Sequence, residues 1–169
     1  MKKELKVKTH KERPDFTGEH PFGDFGQLIL LLLFIIVGVI DYFFIGLKES
    51  EYINLPYWIW IVGGAIFLIF GFYYSKTSLK MIFGTRREKP EVVSNRIYNK
   101  VRHPMYLGSI LFYFGVTFIM FSIPLAVTTL IIFLFYNFIA KHEEKLLVQK
   151  FGNEYIDYMK KVRRWIPRF

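Results

Sequence analysis

Two clusters of ionisable residues bracket one apolar stretch: Arg102 and His103 stand directly before Pro104, and His142, Glu143 and Glu144 follow closely on Ala140. Pro104 suits the first turn of a helix, where its missing N–H costs nothing, and that placement makes His103 the N-cap. The free N–H groups and positive dipole end of such a helix, joined by the Arg102 guanidinium, form a site for an anion. Tyr106 and Leu107, within the first turn, offer an aromatic face and apolar contact to a flat ring. Glu143 and Glu144 are adjacent and cannot both face one way. One accepts hydrogen bonds from ribose hydroxyls or offsets a cation, while the other points to solvent or to Lys145 and Arg164. Together these groups suit a ligand carrying a carboxylate and a positive centre; S-adenosylmethionine has both, with an adenine and a ribose. The plainer reading takes the basic pair as a topology determinant and the acidic pair as solvated. Spacing alone does not name the ligand.

The elements that must position these groups are membrane helices. Between Pro104 and Ala140 lie 37 residues without Asp, Glu, Lys, Arg or His, too many for one crossing of roughly 20 residues. Ser122-Ile123-Pro124 is a turn signal near the middle. The block reads as a tight helical hairpin that returns the Glu pair to the side where the Arg-His pair began.

The whole chain of 169 residues is 53% hydrophobic and 20% aromatic yet carries a net charge of +9. Its apolar blocks and basic flanks are segregated, the pattern of a polytopic membrane protein, and the basic charge is explained by topology without nucleic acid. The absence of Cys excludes disulfides, thiolate metal sites and Cys nucleophiles. No cleavable signal peptide is expected, because the first 25 residues are polar and lack an apolar core.

The expected fold class is all-α: a polytopic membrane bundle of about four transmembrane helices, with a C-terminal helical hairpin and cytoplasmic amphipathic helices. Residues 1–25 form a polar arm and 26–169 a single membrane-embedded domain. The spans are predicted over Gln27–Gly46, Tyr57–Tyr74, Pro104–Phe121 and Pro124–Ala140. Lys and Arg number six before the first span, one in the first loop, eight from Ser75 to His103, none in the hairpin turn and eight after Ala140. Basic segments stay inside, which puts both termini, the middle loop and the candidate chemistry on the cytoplasmic face of a multi-pass protein. The fourth helix is predicted to continue through Lys141–Lys150, to stop at Phe151-Gly152-Asn153, and to be followed by an amphipathic helix, Glu154–Val162, lying along the headgroup region.

The run Val-Arg-His-Pro-Met-Tyr-Leu-Gly at 101–108, the apolar hairpin, Glu143-Glu144-Lys145-Leu146-Leu147, Phe151-Gly152-Asn153-Glu154-Tyr155, and Tyr158 through Ile166-Pro167 resemble the isoprenylcysteine carboxyl methyltransferase and phospholipid methyltransferase superfamily over residues 90–169. The resemblance implies an integral membrane methyltransferase that takes its methyl from S-adenosylmethionine. It further implies that Arg102, His103, Tyr106, Leu107, Gly108, Glu143, Glu144 and Tyr98 bind the cofactor. It names no catalytic base and no metal. The implied acceptor is a lipid or lipidated molecule entering from the bilayer, methylated by an in-line displacement that depends mainly on positioning. Two departures stand out. Relatives read Gly-Pro-Tyr where this chain has Arg96-Ile97-Tyr98, so the turn there must be built differently. Carboxyl-methylating relatives carry an Arg about four residues before the Glu pair, where this chain has Ile139, with Asn137 and Lys141 nearby.

Several single residues have two readings each. Gly63, Gly64 and Gly71 either let helices approach closely, the favoured role, or contact the cofactor. Asp41 either grips an amine headgroup or sits at the outer interface, away from the cofactor. Glu19, His20 and Asp24 are too irregularly spaced for a metal site, and the arm Asp15–Phe25 is expected to fold as a lid. His142 is either a general base or a solvated helix-end histidine. Two other functions compete with methyl transfer: an NADPH-dependent lipid reductase, disfavoured by Glu143 and Glu144 near a 2′-phosphate, and a non-catalytic membrane module.

Overall fold

The computed structural model describes residues 23–45, 55–83 and 91–167. The metal reading of Glu19 and His20, the body of the proposed lid, most of the first loop and Gly84–Pro90 lie outside the described residues. The described residues form five α-helices: α1 (Gly23–Ile40), α2 (Tyr57–Phe83), α3 (Pro104–Met120), α4 (Ile123–Phe151) and α5 (Asn153–Lys161). A π-helical turn, Asp41–Ile45, extends α1, and a 3₁₀ turn, Arg96–Asn99, precedes α3. No strand occurs among the described residues.

Among the described residues, three helices are long and apolar enough to cross a membrane, over Phe25–Phe43, Tyr57–Ile82 and Ile123–Phe151. The α3 helix is equally apolar but has only 17 residues, about 25 Å at 1.5 Å per residue. The outer faces of α1, α2 and α4 expose Leu32, Ile36, Ile69, Phe70, Leu130 and Phe138. Such a surface is stable against lipid and not against water.

Chain geometry at the helix ends follows the sequence. Pro104 opens α3 behind His103, and Phe121 closes it in the left-handed region (φ 45°). Ser122 then caps α4, its hydroxyl accepting from the Leu125 N–H at 3.2 Å. Two boundaries differ from expectation. The α2 helix runs past Tyr74 to Phe83, because Tyr74 and Met81 pack with Ile97 and Val101, and Ser78 bonds the Tyr98 hydroxyl at 2.7 Å. Gly152, not Asn153, caps α5, with φ 58° and ψ −131°, a conformation suited to glycine.

Helices in lipid gain little from hydrophobic exclusion, so close van der Waals packing must hold them together. The antiparallel α2 and α3 pair through Gly64 against Gly115 and Gly71 against Gly108. A Cβ added at Gly71 would lie 2.9 Å from the Gly108 carbonyl oxygen, and one added at Gly115 would lie 2.9 Å from that of Gly64. Helix packing is therefore the role of these glycines. The opposite face of α3, Tyr106, Ile110 and Tyr113, packs against Phe34 of α1 and Ile132, Tyr136 and Ile139 of α4. Helices α1 and α4 are also antiparallel: the Tyr136 hydroxyl reaches Gln27 at 3.5 Å, and Gly38 faces Leu125.

The turn before α3 is built around Arg96 at φ 49°, at the position where the resembling sequences carry Gly. A non-glycine residue at positive φ costs about 1–2 kcal/mol. Arg96→Gly is accordingly expected to raise stability by about 1 kcal/mol, read as a higher unfolding midpoint in detergent; a lower midpoint would show that the Arg side chain earns its place.

Candidate functional site

The start of α3 and the charged end of α4 meet at the open end of the hairpin, as the sequence predicts. His103, buried at the N-cap of α3, bridges both acids: Nε2 lies 3.2 Å from Glu144 Oε1 and Nδ1 lies 3.6 Å from Glu143 Oε2. The Tyr106 hydroxyl donates to Glu143 Oε1, and its ring stacks nearly parallel to His103, with centroids 5.7 Å apart. Burial pushes the His103 pKa below its ordinary value, against the opposing pull of the Glu144 hydrogen bond.

Neither glutamate is solvated, the two side chains being 13% and 4% exposed; of the alternatives for the second acid, solvent or Lys145 and Arg164, the structure shows Arg164. Glu144 accepts from Arg102 Nε at 2.9 Å and from Arg164 through both Nε, at 2.9 Å, and Nη2. Arg164 also donates to Asn137 Oδ1 at 3.0 Å, and its Glu144 hydrogen bond raises its pKa further. A carboxylate with this many charged donors is an anchor.

Arg102 does more than face an anion. Its guanidinium donates to the carbonyls of Met159 at 2.9 Å and Val162 at 2.7 Å, and its backbone N–H donates to Arg163 at 3.0 Å. It thus ties the start of α3 to the end of α5. The tail after α5 folds back over the cluster, with Trp165 against His103 and its indole N–H on Asn137 at 3.3 Å. Sequence reasoning weighed Arg164 only as a charge partner and gave Trp165 no role at the site; the basic run Arg163-Arg164 beside an aromatic was the available signal.

Three of the candidate residues lie elsewhere. Leu107 packs toward α2 with Tyr74, Met81 and Val101, Gly108 abuts Gly71 and Ser75, and Tyr98 bonds Ser78 and receives the Tyr158 hydroxyl on its carbonyl at 2.6 Å. The apolar side of α5 is likewise spoken for. Tyr155, Tyr158 and Val162 pack on Val92, Leu147, Val148 and Phe151, so that side rests on protein where the sequence suggested the headgroup region. Ile139 is fully buried in the core, and the nearby cation is Arg164, reaching in from the tail. Among the described residues, no group of His, Asp and Glu is arranged to hold a metal ion.

A groove of about 580 Å³ opens between α1, α2 and α3, lined by Leu31, Leu68, Phe72, Ser75, Phe112 and Tyr113 among others. Ser109 on its wall donates to the Met105 carbonyl at 3.4 Å.

The fold and site together define an all-helical, multi-pass membrane protein with a buried acid–base cluster at one mouth of its bundle. A family model described as phospholipid methyltransferase matches residues 58–154, and the chain belongs to that family. Protein-S-isoprenylcysteine O-methyltransferase of Saccharomyces cerevisiae is 32% identical over 92 residues, covering 53% of this chain and 38% of that protein. Protein-S-isoprenylcysteine O-methyltransferase B of Arabidopsis thaliana is 27% identical over 143 residues, 80% of this chain and 72% of that protein. The solved structure of the eukaryotic intramembrane Ras methyltransferase ICMT shares the fold, with a TM-score of 0.61 at 22% identity over 84% of this chain and 52% of that one. The chain therefore spans well under half of the yeast protein's length and about half of the solved one.

Proposed function

We propose that this chain transfers a methyl group from S-adenosylmethionine to a lipid or lipidated acceptor, with the site on the cytoplasmic face. The observation that carries the reading is the His103–Tyr106–Glu143–Glu144 cluster, assembled at the mouth of the hairpin in a chain of this family. The donor set fits the cofactor chemically: carboxylates match a cationic sulfonium and ribose hydroxyls, and the rings of His103, Tyr106 and Trp165 offer flat faces to an adenine. When bound, that cofactor supplies an activated methyl. The chain's own residues divide the remaining work. Glu144, fixed by two guanidiniums, holds His103 in place, while Glu143 and Tyr106 present polar atoms toward the cofactor. The groove beside Ser109 and Tyr113 admits an apolar acceptor from the bilayer. The acceptor class rests on the names of the relatives, which act on isoprenylcysteine, and on the apolar lining of that groove. The cytoplasmic placement rests on the distribution of basic residues.

Titration calorimetry on the folded protein in detergent is expected to show micromolar binding of S-adenosylmethionine. His103→Ala and Glu143→Gln should each weaken it at least about tenfold, roughly the loss of one charge-assisted contact. Absence of heat with the wild-type protein would sink the reading. Incubating lipid extract with enzyme and isotopically labelled cofactor, followed by mass spectrometry, identifies the acceptor.

A further inference from the structure

Lys160, Lys161, Arg163, Arg164, Trp165 and Ile166 put four cations directly before two large apolar side chains at the end of α5 and in the segment after it. The contacts of that segment fix its path. Arg163 is level with the start of α3, its carbonyl accepting the Arg102 N–H at 3.0 Å. Arg164 reaches from Glu144 to Asn137. The Trp165 ring then lies against Phe133, with centroids 6.0 Å apart, and donates its N–H to Asn137 at 3.3 Å. From the charged mouth, the segment therefore descends along α4 toward the bilayer centre.

Its depth follows from the residues it touches. Asn137 and Phe133 stand four and eight residues before Lys141, the first charge after the uncharged run of α4, and so lie about 6 and 12 Å below it at 1.5 Å per residue. An interfacial segment buries its apolar groups about 5–10 Å into the headgroup and acyl boundary. Leu134 and Phe138, next to these two residues on α4, are exposed on the outer face of a spanning helix. Ile166, with its Cα about 3.8 Å from that of Trp165, is 62% exposed at this depth. Exposed Lys160, Lys161 and Arg163 precede it. Lys160 pairs with Asp157 at 2.8 Å, which centres the outward basic charge on the Arg163 side of the segment.

We propose that residues 163–167 are a lipid-docking surface for an anionic leaflet on the side of the site. Ile166 seats among the acyl chains beside α4, and Arg163 meets the phosphates above them. Arg164 and Trp165 lie between these two lipid contacts, so the docked segment is held on Glu144 and Asn137. The membrane contact thus belongs to the segment after α5, while the apolar side of α5 itself stays on protein. A partner protein in water has no access to Ile166 at this depth.

The chain has no cysteine, so Ile166→Cys accepts one environment-sensitive fluorophore at a single place. Glu154→Cys, exposed in the first turn of α5, is the reference in water. In vesicles of phosphatidylcholine and phosphatidylglycerol, brominated acyl chains are expected to quench the label at 166 about twofold and to leave the label at 154 unquenched. Omitting phosphatidylglycerol, adding salt or introducing Arg163→Gln should each reduce the quenching. A label at 166 that emits as in water overturns the proposal. So does a blue-shifted label that bromine does not quench, because a second copy of the chain or another protein segment then covers Ile166. Quenching that ignores both phosphatidylglycerol and Arg163→Gln overturns the anionic partner. Should Ile166→Cys fail to fold, Trp165 emission in a Trp58→Phe/Trp60→Phe chain decides, and its indifference to brominated lipid overturns the proposal. None of these measurements involves S-adenosylmethionine, so failure here is distinct from failure of the proposed activity.

Discussion

Glu144→Ala is expected to destabilise the folded protein by about 3–5 kcal/mol, because removing one member of a buried ion-pair network leaves its partners charged and unmatched. Arg102 and Arg164 both aim at this carboxylate, with side chains 10% and 21% exposed. Arg102 keeps the Met159 and Val162 carbonyls and Arg164 keeps Asn137, so the lower end of the range is expected. Glu143→Ala is the matched control. It accepts from the Tyr106 hydroxyl and faces the His103 ring without a guanidinium bonded to it as at Glu144, and its cost should be nearer 1 kcal/mol. Denaturant unfolding in detergent micelles reads both; equal costs at the two positions would show that Glu144 is not the anchor.

Gly71→Val should be at least as damaging, by about 3 kcal/mol or more, beyond the usual range for overpacking. The new Cβ would meet backbone on two sides, the Gly108 carbonyl oxygen at 2.9 Å and the Phe112 nitrogen at 3.2 Å. Backbone in a helix cannot step aside as a side chain can, so α2 and α3 must part. Gly38→Ala provides the contrast within the same protein. Its Cβ would make ordinary contact with Leu125 at 3.6 Å, and the gain in helix propensity should leave stability unchanged or raised by up to about 1 kcal/mol. Yield of monodisperse protein and unfolding midpoints check both, and a well-folded Gly71→Val protein would contradict the packing argument.

Much of this architecture is written in local signals. Pro104, Ser122 and Gly152 each mark a helix boundary through their own backbone or side-chain chemistry, and the structure places the boundaries within a residue or so of them. The meeting of His103 and Tyr106 with Glu143 and Glu144 was legible for the same reason: an uncharged hairpin can only bring its two ends together. What escaped was set by packing between distant segments. Lys76 and Lys80 made α2 look finished at Tyr74, yet the helix continues because its other side rests on Ile97 and Val101. Leu107 and Gly108 adjoin Tyr106 in sequence, but the 100° step of a helix turns them toward α2. Arg164 was among the partners expected for one acid, but the route by which it arrives, a tail folding back past α5, is encoded by no periodicity.

The bonds made by Arg102 also impose an order of events during synthesis. Its acceptors Met159 and Val162 lie 57 and 60 residues further along the chain. At a usual elongation rate of 5–20 residues per second, they emerge about 3–12 s after Arg102 itself. Through that interval the hairpin can already sit in the bilayer with its anchor half made. Completion of the cluster therefore follows insertion of the hairpin, and a chain halted before α5 carries the acidic pair without the clasp that orders it.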